Sequence, residues 1–361
     1  MQNSALSNYQ ELLPRGLTGF ESSGVRAMDC GADHTALVTT DGRVLTWGSA
    51  KNHKLGLSEE VLGRRGQQNT PAEIESLRGV NIVTVSCGEH HTVVVDDKGT
   101  AYSWGWGGSY WSGGGALGLG STKEVPLPTE ITELSSQGAK VEQVQAGQNH
   151  TVFLTTDGEV WTCGTGEYGL CGTGGTGDQL VPCPLEAFED HVIVDVKAGH
   201  AFSLALSSEG EVFGWGRNDS GQLGLGGGLS MDVYSMESEP RSIELLSGEK
   251  VVSLGAGHNH ATAVTEDGKL FTWGMKRTLE PEWISVLDEE RVVAASCGER
   301  FTAITTDKGS LYTFGKGGSC CLGHGNKSTL AQPMRVEALS QLRVQRVVCG
   351  HKHIAALVAA S

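Results

Sequence analysis

Residues Cys30-Gly31-Ala32-Asp33-His34-Thr35 begin a pattern that occurs seven times in this chain of 361 residues. In six copies, the position 16 residues after the first glycine holds Trp, Cys or Phe, and a second glycine follows it. A proline precedes the first glycine by 17 residues in six copies and by 19 in one. Only the connection from the second glycine to the next proline varies in length. Paired strands resist insertions and loops accept them, so this spacing predicts a β-sheet repeat with one variable loop.

Each copy has the pattern of short antiparallel strands. Residues 25–30 and 34–39 contain β-branched side chains, and Asp41-Gly42 leads into a third run at residues 43–47. Asp-Gly between two such runs is a strong hairpin signal, because glycine adopts the positive φ that a primed turn needs. Leu-Gly motifs such as Lys54-Leu55-Gly56-Leu57, ahead of the next proline, indicate a fourth strand.

These units predict one β-propeller over residues 1–361. Units of about 40 to 59 residues without helical periodicity have the size of propeller blades, which bury their faces against neighbouring blades. We predict an all-β, seven-bladed propeller with about four antiparallel strands in each blade. The seventh copy reaches Ala360-Ser361 where its Asp-Gly turn would fall, so we expect residues 1–13 to help close the ring. The predicted repeats are residues 14–70, 71–127, 128–181, 182–239, 240–280, 281–332 and 333–361.

Composition and charge argue against several classes of function. The chain has 27 Lys and Arg against 42 Asp and Glu, a net charge of −15, which disfavours direct binding of nucleic acid. No apolar run reaches the roughly 18 residues of a membrane-spanning helix, and residues 1–20 do not resemble a leader peptide. Nine cysteines without a Cys-x-x-Cys pair indicate a reducing compartment. We therefore predict a cytoplasmic or nuclear protein that does not bind membranes.

The repeat resembles that of the regulator of chromosome condensation family. The resemblance rests on Cys/Ala-Gly-x-x-His-Thr, then Asp-Gly-x-Val-x-x-Trp-Gly, then Gly-Gln-Leu-Gly, whose clearest copy is Gly221-Gln222-Leu223-Gly224. These elements recur over residues 14–358. The resemblance implies a seven-bladed propeller that binds other proteins. Members of the family include an exchange factor for the Ran GTPase and a plant ultraviolet-B receptor, so the fold restricts the function only weakly.

Two departures from that family narrow what the resemblance implies. The light-sensing tryptophans of the ultraviolet-B receptor directly follow the first glycine in several repeats, and this chain has no tryptophan in that slot. The slot holds Ala32, Glu89, Gln148, His200, His258, Glu299 and His351. The basic tail by which the exchange factor reaches chromatin has no counterpart in residues 1–13. Both a photoreceptor of that mechanism and chromatin docking by that route are therefore disfavoured.

The recurring histidines and cysteines are expected to be structural. One slot is His in five copies and Phe in two, namely His34, His91, His150, Phe202, His260, Phe301 and His353. Phenylalanine cannot replace a metal ligand or a general base, whereas either ring can fill a core, so we predict no metal site. The alternation of Cys and Ala at another slot fits small buried residues, which leaves Cys320-Cys321 as candidate exposed thiols. Residues 172–177 fit Gly-x-Gly-x-x-Gly but lack a βαβ context, so we predict no cofactor.

The candidate binding residues lie in the variable connections. Residues 106–115 contain Trp106, Tyr110 and Trp111, which no other repeat has in register. Trp and Tyr are favoured anchors of protein interfaces, so this loop is the first candidate contact patch; the alternative is that its rings fold over a blade edge. The second candidate contains Arg217, Asn218, Asp219 and Tyr234, and the short connection at residues 275–280 could leave a notch in the rim.

Two functions are compatible with these features. The first is a non-catalytic module that binds a partner protein through the variable loops, since no catalytic triad, carboxylate pair or metal cluster stands out from the repeats. The alternative is a guanine-nucleotide exchange factor for a small GTPase of the Ran type, whose basic switch loops an acidic propeller face would suit. We predict no catalytic residues. The identity of the partner and the oligomeric state do not follow from the sequence.

Overall fold

The computed structural model describes residues 12–17, 24–63, 66–109, 113–226, 236–287 and 289–360. Within these residues, the chain forms short antiparallel strands joined by turns, short 3-10 helices and two α-helices of one turn each. None of the helices in this part of the chain is long and apolar enough to cross a lipid bilayer. The all-β class predicted from the repeats is therefore correct.

Six four-stranded antiparallel sheets follow one another along the chain as blades. Blade one contains β1 (Val25–Cys30), β2 (His34–Thr39), β3 (Val44–Ser49) and β4 (Gln67–Glu73). Blade two contains β5 (Ile82–Cys87), β6 (His91–Asp96), β7 (Ala101–Gly105), an inserted hairpin of β8 (Gly108–Ser109) and β9 (Gly113–Gly114), and then β10 (Val125–Glu130). Blade three contains β11 (Val141–Ala146), β12 (His150–Thr155), β13 (Val160–Gly164) and β14 (Gln179–Pro184).

The next three blades have the same order of strands. Blade four contains β15 (Ile193–Ala198), β16 (Phe202–Ser207), β17 (Val212–Arg217) and β18 (Met236–Ser242). Blade five contains β19 (Val251–Ala256), β20 (His260–Thr265), β21 (Leu270–Gly274) and β22 (Thr278–Trp283). Blade six contains β23 (Val292–Cys297), β24 (Phe301–Thr306), β25 (Leu311–Gly315) and β26 (Leu330–Arg335).

Short helices lie in the connections between these strands. The α-helices are α1 (Glu59–Leu62) and α2 (Thr132–Ser136). The 3-10 helices are Lys51–His53, Glu75–Leu77, Glu167–Gly169, Glu186–Phe188, Glu244–Leu246, Ser285–Leu287 and Glu337–Leu339. Residues 172–177 lie in the loop before β14 and are followed by that strand rather than by a helix, so the glycine-rich stretch lacks the context of a dinucleotide site.

The prediction of seven four-stranded blades is wrong. The described residues form six such blades, and the last repeat contributes only a two-stranded sheet of β27 (Leu342–Cys349) and β28 (Ile354–Ala360). In the other repeats an Asp-Gly or similar turn leads from the second strand to a third, and β28 is the second strand of the last repeat. The hairpin lies between blade six and blade one, because β27 packs against β23, β24 and β1.

The predicted role of residues 1–13 in closing the ring stays a prediction, because the structure describes only the last two of these residues. Residues 1–11 lie outside the described residues. Leu12 and Leu13 form no strand, and the carbonyl of Leu12 accepts a hydrogen bond of 2.9 Å from the amide of Gly325 in the connection of blade six. The described end of this segment therefore rests on blade six.

The recurring histidines join each repeat to the next one. In each case Nε2 of the histidine lies within hydrogen-bond distance of a Thr or Ser hydroxyl in the following repeat. The pairs are His34–Thr92 at 2.8 Å, His91–Thr151, His150–Ser203 and His353–Thr35 at 2.9 Å, and His260–Thr302 at 3.0 Å. The last-to-first pair, His353–Thr35, links the final hairpin to blade one. His34, His91, His150 and His260 are buried and His353 is partly buried, which fits the predicted structural role of this slot.

The two phenylalanine copies of this slot have matching partners. The position that would meet the histidine is Ala261 in the repeat after Phe202 and Ile354 in the repeat after Phe301. An apolar ring cannot donate to a hydroxyl, so an apolar neighbour avoids a buried polar group without a partner. Phe202 and Ala261 belong to one buried cluster. The slot and its neighbour therefore change together around the ring.

Close packing explains the first glycine of the repeat. A Cβ atom at Gly31 would collide with the imidazole of His34 and with the carbonyl oxygen of Gly88 in the next repeat. A side chain at this position would therefore push two blades apart. The same kind of collision, with the ring of its own repeat and the backbone of the next, occurs at Gly147, whose neighbours are His150 and Gly199.

Three of the four repeat tryptophans and most cysteines of the alternating slot lie in the core, whereas Trp47 is partly buried. Trp104, Trp215 and Trp273 are buried, and each indole N–H donates to a backbone carbonyl of the preceding repeat at 2.9 to 3.1 Å. Of the cysteines in the alternating slot, Cys30, Cys87 and Cys297 are buried and Cys349 is partly buried. The adjacent thiols differ from expectation, because Cys320 is buried, Cys321 is partly buried, and burial raises the pKa of Cys321 to about 11.

Candidate functional site

The variable connections and the first-glycine loops lie on one face of the propeller, called here the loop face. In each of the three predicted contact regions, the backbone amide of the first residue donates a hydrogen bond to a carbonyl of the loop between the first two strands of the same blade, called here the first-glycine loop. These bonds are Trp106 to His90 at 3.0 Å, Arg217 to Ala201 at 2.8 Å and Met275 to Asn259 at 2.7 Å. The Asp-Gly turns lie at the other ends of the strands. The structure therefore brings the three sequence-predicted connections to the same face.

The connection after β7 forms a braced hairpin. Its strands β8 and β9 pair through Gly108 with Gly114. The carboxylate of Asp178, from blade three, accepts hydrogen bonds from the amides of Gly114 at 2.9 Å and Gly166 at 3.0 Å. This carboxylate thus ties the hairpin to the connection of the neighbouring blade.

Trp106, at the base of this hairpin, is partly exposed. Its ring makes an edge-to-face contact with His90, with centroids 5.1 Å apart and an angle of 87° between the planes. Part of the indole is therefore packed on its own blade, as in the alternative drawn from the sequence, and part remains accessible. Tyr110 and Trp111 lie outside the described residues, so their role stays a prediction.

The second predicted patch is largely occupied by its own hydrogen bonds. Arg217 pairs with Asp219 at 2.6 Å, and its guanidinium lies 4.9 Å from the ring centroid of Tyr168. Asn218 accepts a hydrogen bond of 3.0 Å from the amide of Leu223. These contacts hold the connection in shape, and binding of a partner by the three residues stays a prediction. Tyr234 lies outside the described residues.

The short connection of blade five is a tight turn. Met275 and Lys276 both have positive φ, at 56° and 58°, and the amide of Lys276 donates to the carbonyl of Ser220 in blade four at 2.9 Å. The chain then enters β22 at once. The connection is therefore held close to the neighbouring blade, and its use as a binding notch stays a prediction.

The sequence analysis missed a cluster at the centre of the loop face. The seven first-glycine loops line a narrow cavity of about 70 Å³ at the axis. His200 and His258 stack there with centroids 3.7 Å apart, and His351 lies 6.2 Å and 5.8 Å from them. Oε2 of Glu89 lies 3.1 Å from Nε2 of His200. All four residues directly follow the first glycine of their repeat. Equivalent positions of the repeats lie at the same distance from the axis of the ring, so side chains at this position meet at the centre. That shared position is the sequence signal that could have predicted the cluster.

Burial controls the charges in this cluster. Burial, together with the neighbouring imidazoles of His200 and His351, lowers the pKa of His258 to about 4. Burial by itself raises the pKa of Glu89, but the contact with His200 outweighs it and lowers the value to about 2. No group of three or more His, Cys, Asp or Glu residues in the described ranges has a geometry that could hold a metal ion. The cluster places the hydrogen-bonding groups of three imidazoles and one carboxylate at the axis.

The fold and the loop face define a class of protein, a β-propeller built from one repeated four-stranded unit. The chain belongs to the regulator of chromosome condensation (RCC1) repeat family. The family profile of that description matches residues 41–95, 98–154, 157–206, 209–264 and 308–357, which together exceed half of the chain. A second profile of the same description matches residues 25–53, 82–110, 141–170 and 193–222.

Curated relatives share the repeat but are longer proteins. The chain is 34% identical over 250 residues to the ultraviolet-B receptor UVR8 of Arabidopsis thaliana, covering 69% of this chain and 53% of that receptor. It is 31% identical over 329 residues to the E3 ubiquitin-protein ligase HERC2 of Homo sapiens, covering 91% of this chain and 6% of that ligase. The chain thus spans about half of the first relative and a small part of the second.

Solved structures of similar fold extend over nearly the whole chain. Human WBSCR16 matches with a TM-score of 0.83 and 25% identity, covering 97% of this chain and 90% of that one. Prp20p from Saccharomyces cerevisiae matches with a TM-score of 0.83 and 18% identity, covering 95% of this chain and 84% of that one. The second likeness establishes the shared fold alone.

Proposed function

We propose that this chain is a non-catalytic protein-interaction propeller that binds its partner through the loop face. The observation that carries the proposal is the hairpin β8–β9, which is braced by Asp178 and has the partly exposed Trp106 at its base. A braced hairpin loses little conformational freedom on binding, and Trp is enriched among the residues that contribute most to interfaces. The hairpin has no counterpart in the other five blades of the described chain.

Replacing Trp106 by Ala is expected to weaken capture of the partner at least tenfold. The full chain is immobilised, proteins of its own cell extract are captured, and the amounts retained are measured by quantitative mass spectrometry. Trp283→Ala is the matched control, because Trp283 is also exposed but lies on β22 away from the hairpin. Proteins retained by the wild type and by the control but lost from Trp106→Ala support the proposal. Equal retention by all three chains would contradict it.

The alternative function is guanine-nucleotide exchange on a small GTPase of the Ran type. It is favoured by the fold similarity to Prp20p, whose structure report concerns binding to Gsp1p and histones. The test is the release of a fluorescent nucleotide from a panel of small GTPases, with and without the full chain. Acceleration of release from any of them would replace the first proposal with this one.

Two further points complete the proposal. A cytoplasmic or nuclear location stays part of it, and microscopy of the tagged chain checks that location. We do not propose photoreception, because the slot after the first glycine holds no tryptophan in any of the seven repeats.

A further inference from the structure

The second strand of the final repeat lacks the cover that this strand has in the other repeats. In all six four-stranded blades, every residue of the second strand is buried. In β28, by contrast, none of residues 354–359 is buried, and Val358 is 37% exposed. Within the described residues, β28 pairs with β27 and with no other strand. One long edge of β28 is therefore open.

The open edge presents backbone hydrogen-bonding groups. The amide of Gly350 donates to the carbonyl of His353 at 2.9 Å, so the backbone groups of His353 face β27. Successive residues of an antiparallel strand direct these groups to its two edges in turn. The groups that face the open edge therefore belong to Ile354, Ala356 and Val358. An open edge of this kind is a template for another strand.

Residues 12–14 lie where a fourth strand of the final repeat would lie. At three other places in the ring, a glycine of one connection donates to the residue two positions before the proline in the fourth strand of the next blade. These bonds are Gly120 to Leu180 and Gly174 to Ser238 at 2.9 Å, and Gly226 to Leu279 at 3.4 Å. The bond from Gly325 to Leu12 has the same spacing, because Pro14 follows Leu12 by two positions. A gap one strand wide thus separates β28 from residues 12–14.

The gap contains a seat for the ring of a third strand. In three blades, the indole of the third strand lies against a glycine of the preceding connection. These pairs are Trp104 with Gly56, Trp215 with Gly172 and Trp273 with Gly224. The equivalent glycine at the gap is Gly323, and a Cβ atom there would have Val336 and Pro14 as its nearest contacts. A cavity of about 390 Å³, lined in part by Cys321 and Lys352, lies at this end of the gap.

We propose that this gap between β28 and residues 12–14, called here the open strand site, binds an extended segment of a partner protein as a third antiparallel strand. Main-chain hydrogen bonds to β28 hold such a strand, and the seat at Gly323 selects its side chain. The segment that fits has the pattern of the chain's own third strands, in which an apolar residue is followed three positions later by an aromatic residue and then by glycine. Residues 270–274, Leu-Phe-Thr-Trp-Gly, are an example.

Two features of this pattern follow from the complete blades. The indole N–H of Trp104 donates to the carbonyl of Lys54 at 2.9 Å, and the equivalent acceptor at the open strand site is the carbonyl of Cys321. The final glycine is required because a Cβ atom at Gly274, where φ is 102°, would collide with the carbonyl oxygen of Asn259. A partner segment therefore needs both the ring and the glycine.

The occupant is assigned to a separate polypeptide. The six third strands of the described chain are already paired within their own blades, so a second copy would have to break a blade to donate one. Residues 1–11 contain no glycine, and none of the segments outside the described residues has an aromatic residue followed by glycine. The inference goes beyond the proposed function, because the open strand site is distinct from the hairpin at Trp106.

The test measures fluorescence anisotropy of a labelled Asp-Gly-Lys-Leu-Phe-Thr-Trp-Gly peptide, a copy of residues 267–274, as the full chain is added. Saturable binding is expected, and peptides with Ala in place of Trp or Val in place of the last Gly should bind at least tenfold more weakly. Ala356→Pro removes an amide from the open edge and should weaken binding at least tenfold. The matched control is Ala356→Ser, which keeps the amide and should bind within twofold of the wild type. Circular dichroism and thermal melting verify that the chains are folded.

Four outcomes would overturn the inference. They are equal binding of the three peptides or none that saturates, unchanged binding by folded Ala356→Pro, binding only to a chain that lacks residues 1–11, and a chain that is dimeric until the peptide is added. The last two would assign the site to the chain's own segment or to a second copy. If Ala356→Pro does not fold, the peptide series decides alone. Trp106→Ala should bind the peptide like the wild type, so this inference and the proposed function can fail independently.

Discussion

Lowering the pH from 7 to 4 is expected to unfold this propeller cooperatively. Burial lowers the pKa of His91 to about 3 and those of His150, His260 and His353 to about 4, and it lowers that of His34 as well. In the unfolded chain these rings titrate near 6.5, so between about pH 6.5 and pH 4 the unfolded state binds more protons. Folding stability is therefore complete above pH 6.5 and falls as the pH decreases through this window.

The expected effect is comparable to the stability of a whole domain. If folding lowers the pKa of one imidazole from 6.5 to about 4, the free energy of unfolding is lower by about 3 kcal/mol at pH 4 than at pH 7. Three such rings amount to roughly 10 kcal/mol, against the 5–15 kcal/mol of an ordinary native protein. Asp29 has the opposite effect on stability. Burial raises its pKa to about 6, so as the pH falls the folded state binds a proton on Asp29 before the unfolded state does. Urea denaturation at half-unit steps of pH measures the change.

The chain itself supplies the control for this prediction. The double variant His150→Phe with Ser203→Ala replaces a buried His–Ser contact. It copies the natural pair of Phe202 and Ala261, in which an apolar ring meets an apolar residue of the next repeat. Removing one buried imidazole should reduce the proton uptake on unfolding by about one and make stability less dependent on pH. A pH dependence identical to that of the wild type would show that the buried histidines do not cause it.

Replacing Trp104 by Ala is expected to lower the free energy of unfolding by about 3 to 5 kcal/mol. The side chain is fully buried between blade one and blade two, and its indole N–H donates to the carbonyl of Lys54 at 2.9 Å. Alanine leaves a cavity between the blades and leaves that carbonyl with one donor fewer. Chemical denaturation monitored by circular dichroism measures the loss.

Two further variants separate packing from general effects of removing a tryptophan. Trp104→Phe keeps most of the ring volume and loses the hydrogen bond, so its cost should be smaller. Trp283→Ala removes an indole that is 46% exposed and should change stability by no more than about 0.5 kcal/mol. Equal losses for Trp104→Ala and Trp283→Ala would contradict the proposed packing of the blades.

Much of the fold could be predicted because the repeat specifies local geometry. The glycine-to-tryptophan spacing gave the hairpins, and the exchange of His for Phe identified a packed ring rather than a ligand. The number of four-stranded blades was wrong because seven copies of the first segment were counted as seven blades. Within the described residues the seventh copy forms the two strands β27 and β28, so the copies of the first segment outnumber the four-stranded blades.

The candidate site was less predictable from the sequence. Arg217 and Asp219 pair with each other, which their positions in the sequence did not predict, and their contact with a partner stays a prediction. The histidine cluster was missed because His200, His258 and His351 are separated by more than 50 residues along the chain.

The sequence by itself determined most of the repeated unit: the first three strands, the turn positions, the glycines and the ring of each copy. These depend on interactions within about 33 residues or with the equivalent residue of the next copy, so a constant spacing reveals them. The fourth strand was predicted at the Leu-Gly motif, residues 54–57 in the first copy, but it lies at the proline, in β4 (Gln67–Glu73). Only the tertiary structure decided the number of four-stranded blades and which charges share a surface. Those properties arise when the ring brings distant connections together, and the lengths of the connections along the chain do not specify which side chains then become neighbours.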